Sequence, residues 1–361
     1  RSSDLWHHMA LVLLGRGKAW YEGELLEGGE ALKRAGMRPL ELSSKEGLSL
    51  VSGTTSPTAM AALAIYDLLN AAKAADIIGS ATLEACKGVM NAFDERVMSV
   101  RPHSEQAKTA ENVRTILNGS GIIEKYKGSR VQDALSLRCI PQLHGASKKT
   151  LKDAKEVIEI EMNSCCDNPI IWPGQGNEDV ISACNADSSY VGIEMDSACI
   201  AAAALAKMSE RRNNRLIDES LSGNPWFCIK TPGLNSGLMI PQYTQAGLLN
   251  EMRILATPAT IDNTPTCENQ EDYVAMGYNA CKKAGSAAEK LEYILAIELL
   301  SAYETQQFLD TDVKRSAATE AVMKEIGRHV PIMEQDMFLH PYIEYLRELI
   351  HSGHLIRIVE S

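Results

Sequence analysis

The sequence predicts an all-α protein, an elongated bundle of long helices. Aliphatic residues and Ala carry the apolar content: hydrophobic residues make up 45% of the chain and aromatics only 5%, whereas strands favour aromatic and β-branched residues. Apolar residues recur at helical spacing along most of the chain. Three of these patterns are long, Ser188–Ile217, Leu238–Ala256 and Glu271–Phe308, and helices of roughly 20 to 40 residues suit a large bundle.

Taken in order, Leu5–Gly15 opens as an amphipathic helix and Gly23–Leu42 is polar and turn-rich. Ser56-Pro57 caps a helix over Thr58–Ile78, with Pro in the first turn where its missing N–H costs nothing. Further helices are expected over Leu83–Met98, Ser104–Leu117 and Lys148–Asn163, and Gly174, Gly176 and Asn177 mark a loop or short hairpin. No linker stands out, so residues 1–361 read as one helical domain. Arg1 is not an initiator Met, and Met9 onward reads as mid-domain helix. The expectation is a C-terminal part of a longer chain, with the N-terminal fragment of the same protein as a partner.

A net charge of −11 leaves no basic footprint for nucleic acid. The richest apolar stretch, Leu291–Ala302, is broken by Glu292 and Glu298, and no segment reaches the ~18 apolar residues of a membrane span. Nine cysteines, an odd number with Cys165 and Cys166 adjacent, point to reduced thiols and a cytoplasmic location. There is no Cys-x-x-Cys and no zinc-like His/Cys spacing, so no metal is expected; His351 and His354, with Gly353 between them, read as surface.

Five polar clusters interrupt the helices: Ser52-Gly53-Thr54-Thr55, Gln132 through Arg138, Asn163 through Pro169, Gly233 through Gly237, and Asn269 through Asp272. Any one alone is explained by helix capping. Five of them, most beside a long helix, can converge at one end of a bundle and build a site. Arg138 is either paired with a structural carboxylate such as Asp133 or forms a fork for a substrate carboxylate. Glu271 and Asp272 are read as opening the longest helix, where carboxylates complement its dipole. A Glu facing a pocket could instead hold or protonate a basic ring.

These clusters, in this order, resemble the histidine and aromatic amino acid ammonia-lyase family. The matching stretches are His8–Gly15, Lys45–Leu48, Val131-Gln132-Asp133 with Ser136–Cys139, Asn163-Ser164 with Asp167-Asn168-Pro169, Ser209–Arg212, Gly233–Gly237 with Met239, and Gln270-Glu271-Asp272. The Gln-Glu-Asp form looks like the histidine branch. The resemblance implies a long-helix homotetramer with active sites shared between subunits, and an electrophile, methylidene-imidazolone, formed from an internal Ala-Ser-Gly. It also implies that Arg138 binds the substrate carboxylate, Gln132 supports the site, Met239 lines the pocket and Glu271 faces the imidazole.

The departures from that pattern are selective. Without gaps Arg1 stands where the Gly of the Ala-Ser-Gly is expected, and with a two-residue deletion Arg1-Ser2-Ser3 replaces all three, so either way the Gly is lost. Ser52 stands where the family has an Asn supporting the electrophile, Leu135 where it has a Tyr, and Ala186, after Asn185, where it has a Phe. The substrate-gripping residues stay and the amine-activating ones change. A trimethylated nitrogen leaves without activation, and Leu135 and Ala186 free volume for its methyls. The expected activity is that of the ergothionase branch: elimination of trimethylamine from an amino acid betaine, ergothioneine, to give thiolurocanate without the electrophile. Glu271 and Arg138 would be catalytic, with Gln132, Met239, Ser52, Asn185, Leu135 and Ala186 around the substrate. The alternatives are an electrophile-dependent histidine ammonia-lyase giving urocanate, and a non-catalytic scaffold.

Overall fold

The computed structural model of the chain describes residues 7–172, 174, 179–310 and 312–360. In chain order the helices and strands are α1 (His7–Leu13), β1 (Lys18–Tyr21), β2 (Glu24–Glu27), α2 (Gly28–Arg34), α3 (Glu46–Ser49), α4 (Thr55–Ala85), α5 (Glu95–Ser99), α6 (Ser104–Ile116), α7 (Gly121–Lys125), α8 (Leu135–Arg138) and α9 (Ile140–Met162). There follow β3 (Ile170–Ile171), β4 (Val180–Ile181), α10 (Ser189–Ile217), α11 (Glu219–Ser222), α12 (Met239–Leu255), α13 (Gly277–Glu304), α14 (Ala317–Ile326), α15 (His340–His351) and α16 (His354–Glu360). The all-α expectation holds: 63% of the chain is helical. The chain divides into two compact units, with boundaries within α4, α9, α10 and α13 and one just after α12.

The first unit comprises Arg1–Leu63, Ala154–Asp196 and Pro258–Lys283. It holds the two hairpins, β1 against β2 and β3 against β4, both antiparallel. The β1–β2 turn is Glu22-Gly23, with both residues at positive φ (50° and 81°), the backbone a two-residue turn needs to match strand twist. Within the turn-rich Gly23–Leu42 region, β2 and α2 account for Glu24–Arg34, and residues 37–42 are exposed and irregular. Gly192 on α10 lies so close to Gly277 on α13 that a Cβ on Gly192 would stand 3.1 Å from the Gly277 Cα.

The second unit comprises Ala64–Asp153, Ser197–Thr257 and Ala284–Ser361. Its core is the later part of α13, where Leu291, Ile294, Leu295, Ile297, Leu299 and Leu300 are fully buried, and the Ala-rich part of α4, where Ala71, Ala72, Ala74 and Ala75 are as well. A helix buried on all sides must pair its polar residues. Glu298 does so with Arg212, through Nε at 2.6 Å and Nη2 at 2.9 Å, and accepts from the Thr82 hydroxyl at 2.7 Å. Arg212 also reaches His144 Nε2 at 3.2 Å, and His144 Nδ1 lies 2.9 Å from Asp76, which also takes Asn112 at 2.8 Å and the Lys148 ammonium.

Three expected elements are corrected. The break placed at Ile78 does not exist, since α4 runs unbroken for 31 residues to Ala85. It ends where Lys87 takes φ 54° and Gly88 passes so close to Leu83 that a Cβ would stand 2.3 Å from its Cδ1. The helix expected to Met98 is instead a 3-10 turn, Met90–Phe93, and α5, capped by the Asp94 side chain. The third expected helix of the long set does not start at Glu271, because α13 begins at Gly277. The loop expected at Gly174, Gly176 and Asn177 joins β3 to β4; Gly176 and Asn177 lie outside the described residues.

Candidate active site

In the first unit the start of α4 forms one wall of a cleft of about 360 Å³, lined by Ser49, Ser52, Thr54, Thr58, Glu161 and Asp167 among others. Glu161, near the end of α9, is the hub. Its Oε1 accepts from the Thr54 hydroxyl at 2.5 Å and from the Cys166 thiol at 3.3 Å. Burial, with Glu161 beside it, pushes the Cys166 thiol up to about 11. Gly53 is held at φ 117°, and a Cβ there would stand 2.5 Å from the Cys166 carbonyl oxygen, so only glycine fits. The Thr58 hydroxyl is buried and has no hydrogen-bond partner among the described residues. Across the cleft, Asp167 accepts from Lys45 Nζ and the Ser49 hydroxyl, both at 2.8 Å, which holds its carboxyl below the usual range against the effect of burial.

Asn185 lies on a neighbouring cleft of about 440 Å³ that shares Glu161, Ser164 and Cys166 with the first. Its side-chain amide donates to the Cys165 carbonyl at 3.3 Å. Ala186, half-buried, follows it and lines neither cleft. Glu271 also lines neither. It closes a tight loop by pairing its backbone with Thr266, and accepts the Thr266 hydroxyl on Oε2 at 2.6 Å. Between them Cys267, Glu268 and Asn269 all have positive φ (52°, 55° and 66°). Three consecutive non-glycine residues in that region are strained, and such strain gathers at functional loops.

In the second unit Arg138, half-buried at the end of α8, donates to Gln132 Oε1. The Asp133 partnership considered for it is not formed. Asp133 is buried and accepts from the Val89 N–H at 2.7 Å, with Arg130 at 3.3 Å. No carboxylate among the described residues pairs with Arg138, so most of its guanidinium N–H groups remain for another acceptor. Leu135, on the same short helix, is 62% exposed. Met239 is the first residue of α12.

Each unit thus groups its own share of the expected residues: Ser52 and Asn185 around Glu161, with Glu271 on its strained loop, in the first, and Arg138, Gln132 and Leu135 in the second. Sequence reasoning missed Glu161 and Thr58. Glu161 sits two residues before the Asn163 cluster, and in a helical repeat it reads as a solvated face. His351 and His354 do reach the surface, their side chains 41% and 42% exposed, with Gly353 (φ 69°) ending α15 between them, and His351 is in addition bonded to buried Glu292.

The aromatic amino acid lyase family model matches residues 2–328. The chain belongs to that family, and so to a group of carbon–nitrogen lyases. It is 40% identical over 355 residues to histidine ammonia-lyase 2 of Fusobacterium nucleatum, covering 98% of this chain and 69% of the relative. It is 42% identical over 354 residues to histidine ammonia-lyase of Alkaliphilus oremlandii, with the same coverages. Among solved structures, histidine ammonia-lyase from Trypanosoma cruzi superposes with a TM-score of 0.91 at 32% identity, over 98% of this chain and 67% of that one. Tyrosine aminomutase from Streptomyces globisporus gives 0.92 at 31%, over 100% and 72%. The ergothionase of Treponema denticola gives 0.86 at only 26%, over 97% and 70%. The expectation of trimethylamine elimination from ergothioneine is therefore corrected, because identity near 40% along nearly the whole chain lies with histidine ammonia-lyases.

Proposed function

We propose that this chain is the substrate-holding part of a lyase that removes ammonia from histidine to give urocanate. The observation that carries this reading is Arg138, whose guanidinium is oriented by Gln132 and has no carboxylate partner among the described residues. A planar fork in that state is suited to a substrate carboxylate. Similarity to histidine ammonia-lyases supports the choice of substrate.

In this reading Arg138 binds and orients the carboxylate. Glu271, fixed by Thr266 on its loop, accepts the imidazole N–H and holds the ring in place while the β-hydrogen leaves. Roles for Ser52, Asn185, Met239, Leu135 and Ala186 around the substrate belong to the proposed assembly, a homotetramer with sites shared between subunits. The residues present do not fit a methylidene-imidazolone of this chain's own making. The 361 residues contain no Ala-Ser-Gly, Arg1-Ser2-Ser3 lies outside the described residues, and Ser52 replaces a supporting amide beside hydroxyls already committed to Glu161 and Asp167. The proposal therefore derives no step through that group and assigns no residue of this chain to amine activation.

The test is incubation of the protein with histidine, phenylalanine and ergothioneine, following urocanate, ammonia and trimethylamine, together with calorimetric binding of urocanate. Urocanate binding is expected, and any turnover observed is confined to histidine. Turnover of phenylalanine with no response to histidine or urocanate would overturn the reading. Glu271→Gln should lower turnover by about 10² to 10⁴ with the helical content unchanged.

A further inference from the structure

The second unit carries a cluster that the proposed reaction does not use. Asp67 on α4, Glu292 on α13 and His351 at the end of α15 each direct one ligand atom to a common point, and the three atoms lie within 4.8 Å of one another. His351 Nδ1 is 2.9 Å from Glu292 Oε1 and 3.7 Å from Asp67 Oδ1. Glu292 is buried, Asp67 and His351 are partly open to solvent. Arg347 meets the other oxygen of Glu292 through Nε at 3.3 Å, but it is shared with Glu344, which Nη1 approaches at 3.6 Å. Three carboxylates thus face one guanidinium and one imidazole.

The three donors come from three different helices, α4, α13 and α15, and the partly open Asp67 and His351 give an ion a way in and room for water ligands, while buried Glu292 anchors it.

We infer that Asp67, Glu292 and His351 bind a divalent transition-metal ion, Zn²⁺ in the first instance, through one imidazole nitrogen and two carboxylate oxygens, with water completing the shell. Mixed nitrogen and oxygen donors favour Zn²⁺ over Mg²⁺ or Ca²⁺, which take oxygen alone. The proton on His351 Nδ1, now shared with Glu292, passes to solvent as the metal takes its place, and the ion ties three helices of the unit together.

The test uses the whole chain, stripped with a chelator and titrated with Zn²⁺ and with Co²⁺ as a spectroscopic probe. One ion per chain is expected, with a weak visible Co²⁺ band and no intense sulfur-to-metal absorption. Loss of an outer-shell partner already costs about tenfold or more in affinity, so Asp67→Asn and His351→Gln, direct ligands, should each weaken binding by at least that. Asp67→Asn is at a partly open position, and circular dichroism checks that both variants fold. Arg347→Met removes a competing cation and should tighten binding. No binding, thiolate-type Co²⁺ absorption, or affinity unchanged by Asp67→Asn and His351→Gln would overturn the site. Weaker metal binding in Arg347→Met would overturn it too, by making the cluster an ion-pair network only.

Discussion

Arg138 gives its hydrogen bond to the side-chain oxygen of Gln132 and not to the carboxylate of Asp133, one residue further on. Asp133 is already used by the Val89 N–H and Arg130. A hydrogen bond to a charged group contributes about 1.5–3 kcal/mol, or roughly tenfold to a hundredfold and more in affinity. Arg138→Ala should therefore weaken urocanate binding by about that factor while leaving thermal stability nearly unchanged. Arg138→Lys should recover only part of the loss, because a point charge cannot form the fork. Calorimetric titration measures both.

Arg212 and Glu298 are fully buried and bonded through two contacts. Removing one partner strands the other charge in the core. Glu298→Gln is expected to destabilise the protein by about 3–5 kcal/mol, and the double replacement Arg212→Met with Glu298→Leu by much less than the sum of the singles. Urea unfolding of the wild type, Glu298→Gln, Arg212→Met, Glu298→Leu and the double replacement tests this. Equal, additive losses would show that the pair acts as two independent side chains.

Burial pushes Glu304 from its ordinary 4.5 up to about 7, and one of its oxygens is buried with no partner among the described residues. Between these values the folded state holds a proton that the unfolded state has released. The group's contribution is complete below pH 4.5 and is lost as pH rises towards 7. The wild-type protein should then lose on the order of 1–3 kcal/mol relative to Glu304→Gln on going from pH 5 to pH 8. Parallel stability curves for the two proteins would contradict it.

Cys166 and Cys165 are neighbours in sequence but not in reactivity. The Cys166 thiol is half-buried against Glu161 and raised to about 11, whereas Cys165, Cys184 and Cys267 are exposed. Because the thiolate is the nucleophile, iodoacetamide near pH 8 should label the three exposed cysteines first and Cys166 later, as read by peptide mass mapping. Glu161→Gln removes the adjacent negative charge and should speed the labelling of Cys166.

Much of the fold was legible in the residues because helical periodicity is local. Ser188–Ile217 and Leu238–Ala256 were placed within a residue of α10 and α12. The misplaced boundaries lie where a tight local turn, which apolar periodicity does not register, decides the backbone: Gly88 lies close against Leu83 where α4 ends, and Glu271 pairs with Thr266 in a loop ahead of the helix. Among site residues, Ser52 and Asn185 were expected together and do border adjoining clefts, yet Glu161 between them went unseen because a Glu near a helix end looks like solvent-facing charge.

By itself, then, the sequence determined the helical class and the family, and it put Arg138 and Gln132 close enough in the chain to meet. The tertiary structure decided which acceptor Arg138 takes. It also turned Glu292 and Glu298, which interrupt an apolar run, into buried partners of His351 and Arg212. The reason is physical: periodicity and spacing fix local conformation, whereas the partner of a charge depends on which groups distant in the chain are desolvated beside it.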